Sequence, residues 1–489
     1  MDFLKNKMQL LSFTAGIFIS LFLYLTNPFS LQPDACKAVA IAALMIVWWV
    51  TEAMPMPAVA LVPLFLFPLL KISTIDETSK AYSNPVIFLF MGGFMIGLAI
   101  EKWNLHKRIA LTIVQLTGTG GNRIILGFII ATGFLSMWLS NTATTMMMFP
   151  IALSVIAVIK QHEQNERRIK NFATSLMLVV AYASNIGGIA TPIGTPPNVA
   201  FVGYIEKKYG YSIAFNDWML VCAPVALLLL LSLYVTLTRW LFPNRILQSS
   251  NTKIFIQTEL KNLGPVSVSE KRVLSVFLLT AFLWIFKDLI NEQPYFKLDD
   301  NMTAVFGALL LFAIPAEKNE EEKTRMLLDW NDTTKMAWGI LLLFGGGIAL
   351  GNALEKAGVM ALIGNSLAGL SSGNVLILIF TITVVSIFLS EIMSNIAQVI
   401  VLAPVLGALA DALHLDPLVV GIPLTLAASA ASMLPMGTPP NAIVFSSGYI
   451  KIKDMLKAGL VLNIISIILI TAFCWWILPL VMGLLQVKS

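Results

Sequence analysis

Ser140, Asn141, Thr142, Thr144 and Thr145 form a polar island inside the apolar stretch LSMWLSNTATTMMMFP, Leu135 to Pro150. A second island, SEIMSNIAQ from Ser390, carries Ser394-Asn395. Two further interruptions, PIGTPPN (Pro192 to Asn198) and PMGTPPN (Pro435 to Asn441), set tandem prolines beside a Gly and a Thr. Hydroxyl and amide oxygens are hard ligands suited to Na+, and the matching O–H and N–H groups donate to an anion. Pro196-Pro197 and Pro439-Pro440 must break their helices, because proline removes a donor and clashes with the preceding turn. Each restarted helix presents free N–H groups and roughly half a positive charge. Four such N-termini, two at the polar tips and two at the proline breaks, would balance about two negative charges. Carbonyls at the C-terminal ends of the breaks, with Ser136, Ser140 and Ser390, suit cations. The pattern therefore suits an anion and its cations held together, with Asn141, Asn395, Thr142, Thr195 and Thr438 as donors.

No Lys or Arg falls near the centre of a core span, so dipoles and bound cations must supply the charge balance. His106, His162 and His414 lie in or beside loops, and no Ser/His/Asp set, H-E-x-x-H or paired intramembrane carboxylates occur, so a hydrolase would lack its base. A lone polar cluster in a span is often only inter-helix glue, and a channel too can have a polar midplane. Glu391, four residues from a tip, is open between proton carrier and structural cap. Gly92, Gly93, Gly346 and Gly347 read as close-packing positions, Glu52 as interfacial, and Met146 to Met148 and the Trp pairs 48-49 and 475-476 as packing or interface anchors.

The polar stations recur. FMGGFMIGLAIEKWN from Phe90 aligns with FGGGIALGNALEKAG from Phe344 at an offset of 254, pairing Gly92 with Gly346 and Glu101 with Glu355. At that offset Ser140-Asn141 falls on Ser394-Asn395, and at 243 PIGTPPN falls on PMGTPPN. Spans are expected near 10–26, 35–50, 57–70, 84–100, 172–204, 217–242, 272–290, 302–315, 336–354, 417–447 and 458–483, with 123–159 and 374–413 as hairpins that enter and leave by one face. The second Gly-rich helix is then the fifth span after the first, an odd step, so the second copy is inverted. Inverted repeats with matching polar breaks point to a secondary transporter with a midplane site.

With the N-terminus cytoplasmic, 23 of the 32 Lys and Arg fall on the cytoplasmic side. This positive-inside bias favours the hairpins and leaves the C-terminus outside. The acidic loop AEKNEEEKTRMLLDWNDTTK also falls inside, but acidic residues count for little in orientation.

The chain is 57% hydrophobic and only 12% charged, well outside the range of a soluble globular protein. The long apolar runs make it an all-α, multi-span membrane protein. Cys36, Cys222 and Cys474 lie far apart in apolar stretches and suggest neither a disulfide framework nor a metal cluster. The net charge of +5 comes from Lys and Arg beside spans and does not indicate nucleic acid. The first apolar run, Leu10 to Leu25, is followed by no small-x-small cleavage site and is expected to be a retained span.

EKWNLHKRIAL followed by LSMWLSNTATT, the second Ser-Asn tip and the two GTPPN breaks together resemble the divalent anion:sodium symporter family, the INDY-like carboxylate transporters. The resemblance spans essentially the whole chain. It implies eleven helices plus two re-entrant hairpins, a homodimer in the inner or plasma membrane, and elevator-type exchange between a scaffold and a transport domain. Scaffold helices would occupy 1–122 and 274–370, the transport halves 123–242 and 371–489, and a cytoplasmic linker 243–273. Carried over by motif, one sodium site would use Ser136, Ser140, Asn141 and the backbone around Gly194, the other Ser390, Asn395 and the backbone around Gly437. The anion would meet Asn141, Thr142, Thr195, Asn395, Thr438 and Pro439. Family substrates are C4 dicarboxylates such as succinate, malate and fumarate, with sulfate or citrate in some members and sodium-independent exchange in others. The sequence departs from the family pattern at Ile396, where the second tip commonly ends in Thr.

Overall fold

The computed structural model describes residues 2–486 apart from 245, 247–249, 294, 296, 318–324 and 371–373, so the acidic stretch 318–324 lies outside the described residues. Among the described residues the chain is helical, with one isolated bridge, Pro315 to Met326, and no strand. Contacts divide it into two compact units. The smaller comprises Met1–Ile87, Val199–Ser212 and Ala337–Ala428; the larger comprises Phe88–Asn198, Ile213–Met336 and Ser429–Ser489.

Nine helices among the described residues are long and apolar enough to cross a membrane. The expected spans 57–70, 302–315 and 417–447 fall on shorter apolar helices, Met56–Leu69, Asp300–Ala313 and Pro417–Ala428. The expected 272–290 falls on Val268–Ile285, whose first turn is charged. Two helices went unread in the sequence: Leu105–Thr117 and Val359–Leu370 follow the Gly-rich helices, and their starts obey the same 254 offset. Read as connecting chain, both are helical pieces of the repeat.

In the smaller unit, Asp2–Thr26 packs on Pro33–Val50, with Phe13 stacked on Trp48 at 4.8 Å and the Trp48 Nε1 donating to Phe13 O at 3.1 Å. Phe18 and Leu25 on the first helix stay exposed, as lipid-facing residues do. The helices Val375–Ser390 and Asn395–Ala412 form a hairpin about a four-residue tip. Twelve residues of continuous helix would span about 18 Å, yet Gln398 Nε2 donates to Ser386 O at 3.0 Å, so the chain reverses at the tip. The first arm, 16 residues, is about 24 Å long, short of the ~30 Å hydrocarbon core.

The larger unit holds the other tip, between Gly121–Ser136 and Asn141–His162, and the helix Glu166–Ile189, buried without interruption from Phe172 to Ile189. Irregular backbone at membrane depth needs protein partners. The Trp218 indole donates to Ile189 O at 3.0 Å, the Tyr182 hydroxyl to Ser432 O at 2.7 Å, and Ser432 N donates to Asn463 Oδ1 at 3.2 Å. Within each unit a repeat-related glycine admits close backbone approach. A Cβ at Gly92 would lie 2.5 Å from the Ala304 carbonyl, and one at Gly346 2.7 Å from Ala60 Cα.

Outside the spans, Arg108 bonds Glu270 at 2.8 and 3.1 Å and the carbonyls of Leu263, Gly264 and Pro265, tying the linker to Leu105–Thr117. Burial alone would raise the Glu270 pKa, but the hydrogen bonds from Arg108 and Ser267 outweigh it and hold the carboxyl below its ordinary value. Glu270→Gln should therefore lower stability by about 2 kcal/mol, read as an earlier thermal unfolding midpoint in detergent. Since the folded value is depressed, the wild-type contribution is complete above about pH 4.3 and lost as pH falls through the folded value. The variant's stability should be less steep across that window.

Candidate functional site

The first tip builds a ring of oxygens in the larger unit. Ser140 caps Asn141–His162, its Oγ accepting from Ala143 N at 3.2 Å. Ser136, fully buried, donates its hydroxyl to Asn141 Oδ1 at 2.7 Å, and Asn141 Nδ2 reaches Thr195 Oγ1 at 3.4 Å. Thr191 then ties the tip to the proline break: its hydroxyl donates to Met137 O at 2.5 Å and accepts from Gly194 N at 3.0 Å. A Cβ at Gly194 would lie 2.6 Å from Gly188 O and 2.9 Å from Ser136 O. One at Gly188 would press on Asn141 Oδ1 and lie 3.1 Å from Gly194 O. The two glycine backbones pack together here with no room for a side chain, and amide and carbonyl oxygens lie on each side. Unwound carbonyls and side-chain oxygens of this kind are what transporters offer to Na+.

Donors suited to an anion lie in the same unit. Thr142 is half-buried, and its hydroxyl has no hydrogen-bond partner among the described residues. Thr195 is buried just before the helix Pro196–Tyr209. At the other break Thr438 caps Pro439–Phe445, its Oγ1 accepting from Asn441 N at 3.4 Å and from Asn185 Nδ2 at 3.0 Å. Gly437 is half-buried, its N–H bonded to Leu434 O at 3.1 Å, and Pro439 is exposed.

The second tip belongs to the smaller unit and repeats part of this chemistry. Ser390 Oγ hydrogen-bonds Asn395 Oδ1, as Ser136 does Asn141, and also lies 2.5 Å from Ala428 O. Two differences separate the tips. Ser394 makes no capping hydrogen bond where Ser140 does, and Ile396 stands half-buried where Thr142 has its hydroxyl. Glu391 is buried at this tip.

A family model described as the sodium:sulfate symporter transmembrane region matches residues 5–482. The chain belongs to the divalent anion:sodium symporter family. Like its family, this symporter is a multi-span membrane transporter and not an enzyme. It is 37% identical over 496 residues to the sodium-dependent dicarboxylate transporter SdcS of Staphylococcus saprophyticus, covering 99% of this chain and 95% of that protein. SdcS of Staphylococcus aureus strain USA300 is 38% identical over 463 residues, covering 94% and 89%. The crystal structure of the Alcanivorax borkumensis YdaH transporter, described as having an unusual topology, is similar in fold. It covers 82% of this chain and 87% of its own, with TM-score 0.56 at 13% identity.

In the symporter, Ser136, Ser140, Asn141, Gly194 and Thr195 are brought together, and Ser390 is joined to Asn395. Sequence reasoning missed Gly188, Thr191 and Asn185. No local signal marked them, because all three sit within or just beyond a helix whose buried stretch is polar in only scattered places. Asn198 and Asn441 were inside the quoted repeat motifs, and the 243 offset that pairs them was the available signal.

Proposed function

We propose that this symporter couples sodium to the movement of C4 dicarboxylates such as succinate, malate and fumarate, by an elevator mechanism. The observation that carries the reading is the cluster of oxygens, Gly188 O, Gly194 O, Ser136 O and Asn141 Oδ1, around two glycines that admit no Cβ, beside the Ser136–Asn141 hydrogen bond. It is assigned to the first sodium, with Ser136, Ser140, Asn141 and Gly194. The Ser390–Asn395 pair is assigned to the second. Asn141, Thr142, Thr195 and Thr438, with Pro439, are assigned to the anion, helix N-termini supplying the remaining positive field. The dicarboxylate class is supported by relatives that match nearly end to end and are named sodium-dependent dicarboxylate transporters. A homodimer, a cytoplasmic N-terminus with the C-terminus outside, and the scaffold and transport halves given above complete the proposal.

One observation favours a second reading, a sulfate or tricarboxylate carrier: the hydroxyl of Thr142 has only Ile396 as its repeat partner. Uptake of radiolabelled succinate, citrate and sulfate into proteoliposomes, with and without an inward sodium gradient and with internal counter-substrate, tests both. Sodium-driven accumulation is expected. Equal uptake in potassium, strongly stimulated by internal succinate, would replace coupling with exchange. In the same assay Ile396→Thr should shift the relative rates of succinate, citrate and sulfate, and unchanged ratios would show that position 396 does not read the anion.

A further inference from the structure

We infer that Asn185 is a positioning residue for anion recognition: it fixes the Thr438 hydroxyl as a group that can only donate. The inference rests on the proposed assignment of Thr438 to the anion. A hydroxyl has one proton and two lone pairs. Thr438 Oγ1 accepts from Asn185 Nδ2 at 3.0 Å and from Asn441 N at 3.4 Å, which engages both lone pairs. No acceptor among the described residues takes its proton, and the residue is only 5% exposed. The O–H must then point away from both N–H groups. A hydroxyl held in this way matches an acceptor-only ligand, which a carboxylate or another oxyanion is.

Asn185 is well placed to hold that direction. It is 3% exposed, on the stretch of Glu166–Ile189 that is buried without interruption, so its amide is held by packing on every side. The Asn441 N–H is the ordinary capping donor of a helix start and would be present with any Thr or Ser at 438. Asn185 is the addition specific to this break. The 243 offset pairs it with Ala428, which has no side-chain donor, so the repeat supplies nothing equivalent for Thr195. Thr195 Oγ1 instead receives Asn141 Nδ2 at a longer 3.4 Å. Without Asn185 one lone pair of Thr438 would be free, the hydroxyl could rotate, and donation to the anion would compete with other orientations.

The test is a double-substitution cycle in the full-length protein, reconstituted in proteoliposomes, with radiolabelled succinate as the probe. KM for succinate is measured at saturating sodium, and the half-saturating sodium concentration separately. Thr438→Val should raise KM about 10-fold and Asn185→Ala about 5-fold, as expected for losing a donor to a charged group and weakening one. The double variant should be no worse than Thr438→Val alone, and half-saturating sodium should stay within about 2-fold of wild type throughout. Effects that multiply in the double variant, or a sodium requirement that rises with KM, would overturn the inference while leaving the anion site standing. An unchanged KM in Thr438→Val would instead remove Thr438 from the anion site. Asn185→Ser, which keeps a small polar group but cannot reach Thr438, repeats the measurement if the Ala variant unfolds early in detergent, and wild-type KM in that variant would also overturn the inference.

Discussion

Gly188→Ala should weaken the symporter's apparent sodium affinity by about 10- to 100-fold, the scale seen when the support of a metal ligand is disturbed. The added Cβ would press on Asn141 Oδ1 and lie 3.1 Å from Gly194 O, so it would push apart the oxygens assigned to the ion. Neither neighbour can withdraw easily. Asn141 is held by the Ser136 hydroxyl at 2.7 Å, and Gly194 by Thr191, which is itself anchored to Met137 O at 2.5 Å. Gly187→Ala is the matched control. Its Cβ would crowd the Gly133 backbone, 2.6 Å from Cα, and should lower stability by about 1–3 kcal/mol without a selective effect on sodium. Thermal unfolding in detergent, titrated with sodium against potassium, separates the two. Since the Ser390–Asn395 pair can still bind its own sodium, only a Gly188→Ala protein whose sodium titration matches wild type in both midpoint and amplitude would remove the ion from the Gly188–Gly194 oxygens.

Much of this arrangement is legible without coordinates, for identifiable reasons. The tips announce themselves because hydroxyls and amides are expensive in an apolar run, and duplication at fixed offsets makes chance a poor account of them. Ser136, five residues before Asn141, and Ser390, five before Asn395, make equivalent hydrogen bonds, so the sequence repeat survives as a chemical one. What could not be read is whatever depends on chain segments approaching from elsewhere. Gly188 looks like one more small residue in a buried helix until Gly194 and Asn141 are seen against it. Asn185 carries meaning only through Thr438, 253 residues away. The helix Leu105–Thr117 went unread because its charged first turn, Leu-His-Lys-Arg, resembles a loop beside a span, although its repeat partner Val359–Leu370 is plainly apolar.

Asn198→Leu should produce the largest loss of stability among single substitutions at the two proline breaks, about 3 kcal/mol. The side chain is fully buried, and its Nδ2 lies 3.1 Å from Gly188 O, 3.3 Å from Ile189 O and 2.8 Å from Thr191 O. The first of these matters most. In an uninterrupted helix Gly188 O would accept from the residue four further on, but that residue is Pro192, which has no N–H. Asn198 supplies the donor that proline removes. Ile189 O keeps the Trp218 indole at 3.0 Å, and Thr191 O keeps a weak contact with Gly194 N at 3.4 Å, so the variant leaves one carbonyl without a donor and two with fewer. The repeat-related Asn441 is just as buried but among the described residues its amide donates to a single carbonyl, Leu434 O at 3.1 Å, and Asn441→Leu should therefore lose about 1–2 kcal/mol. Unfolding midpoints in detergent should fall in the order wild type, Asn441→Leu, Asn198→Leu. Equal shifts would mean that the amide is not what replaces the missing proline donor. Among the described residues the buried Oδ1 atoms of both have no hydrogen-bond partner, so the amide acts through its N–H, and Asn198→Asp, which keeps the oxygen and removes the N–H, should fail like the leucine variant.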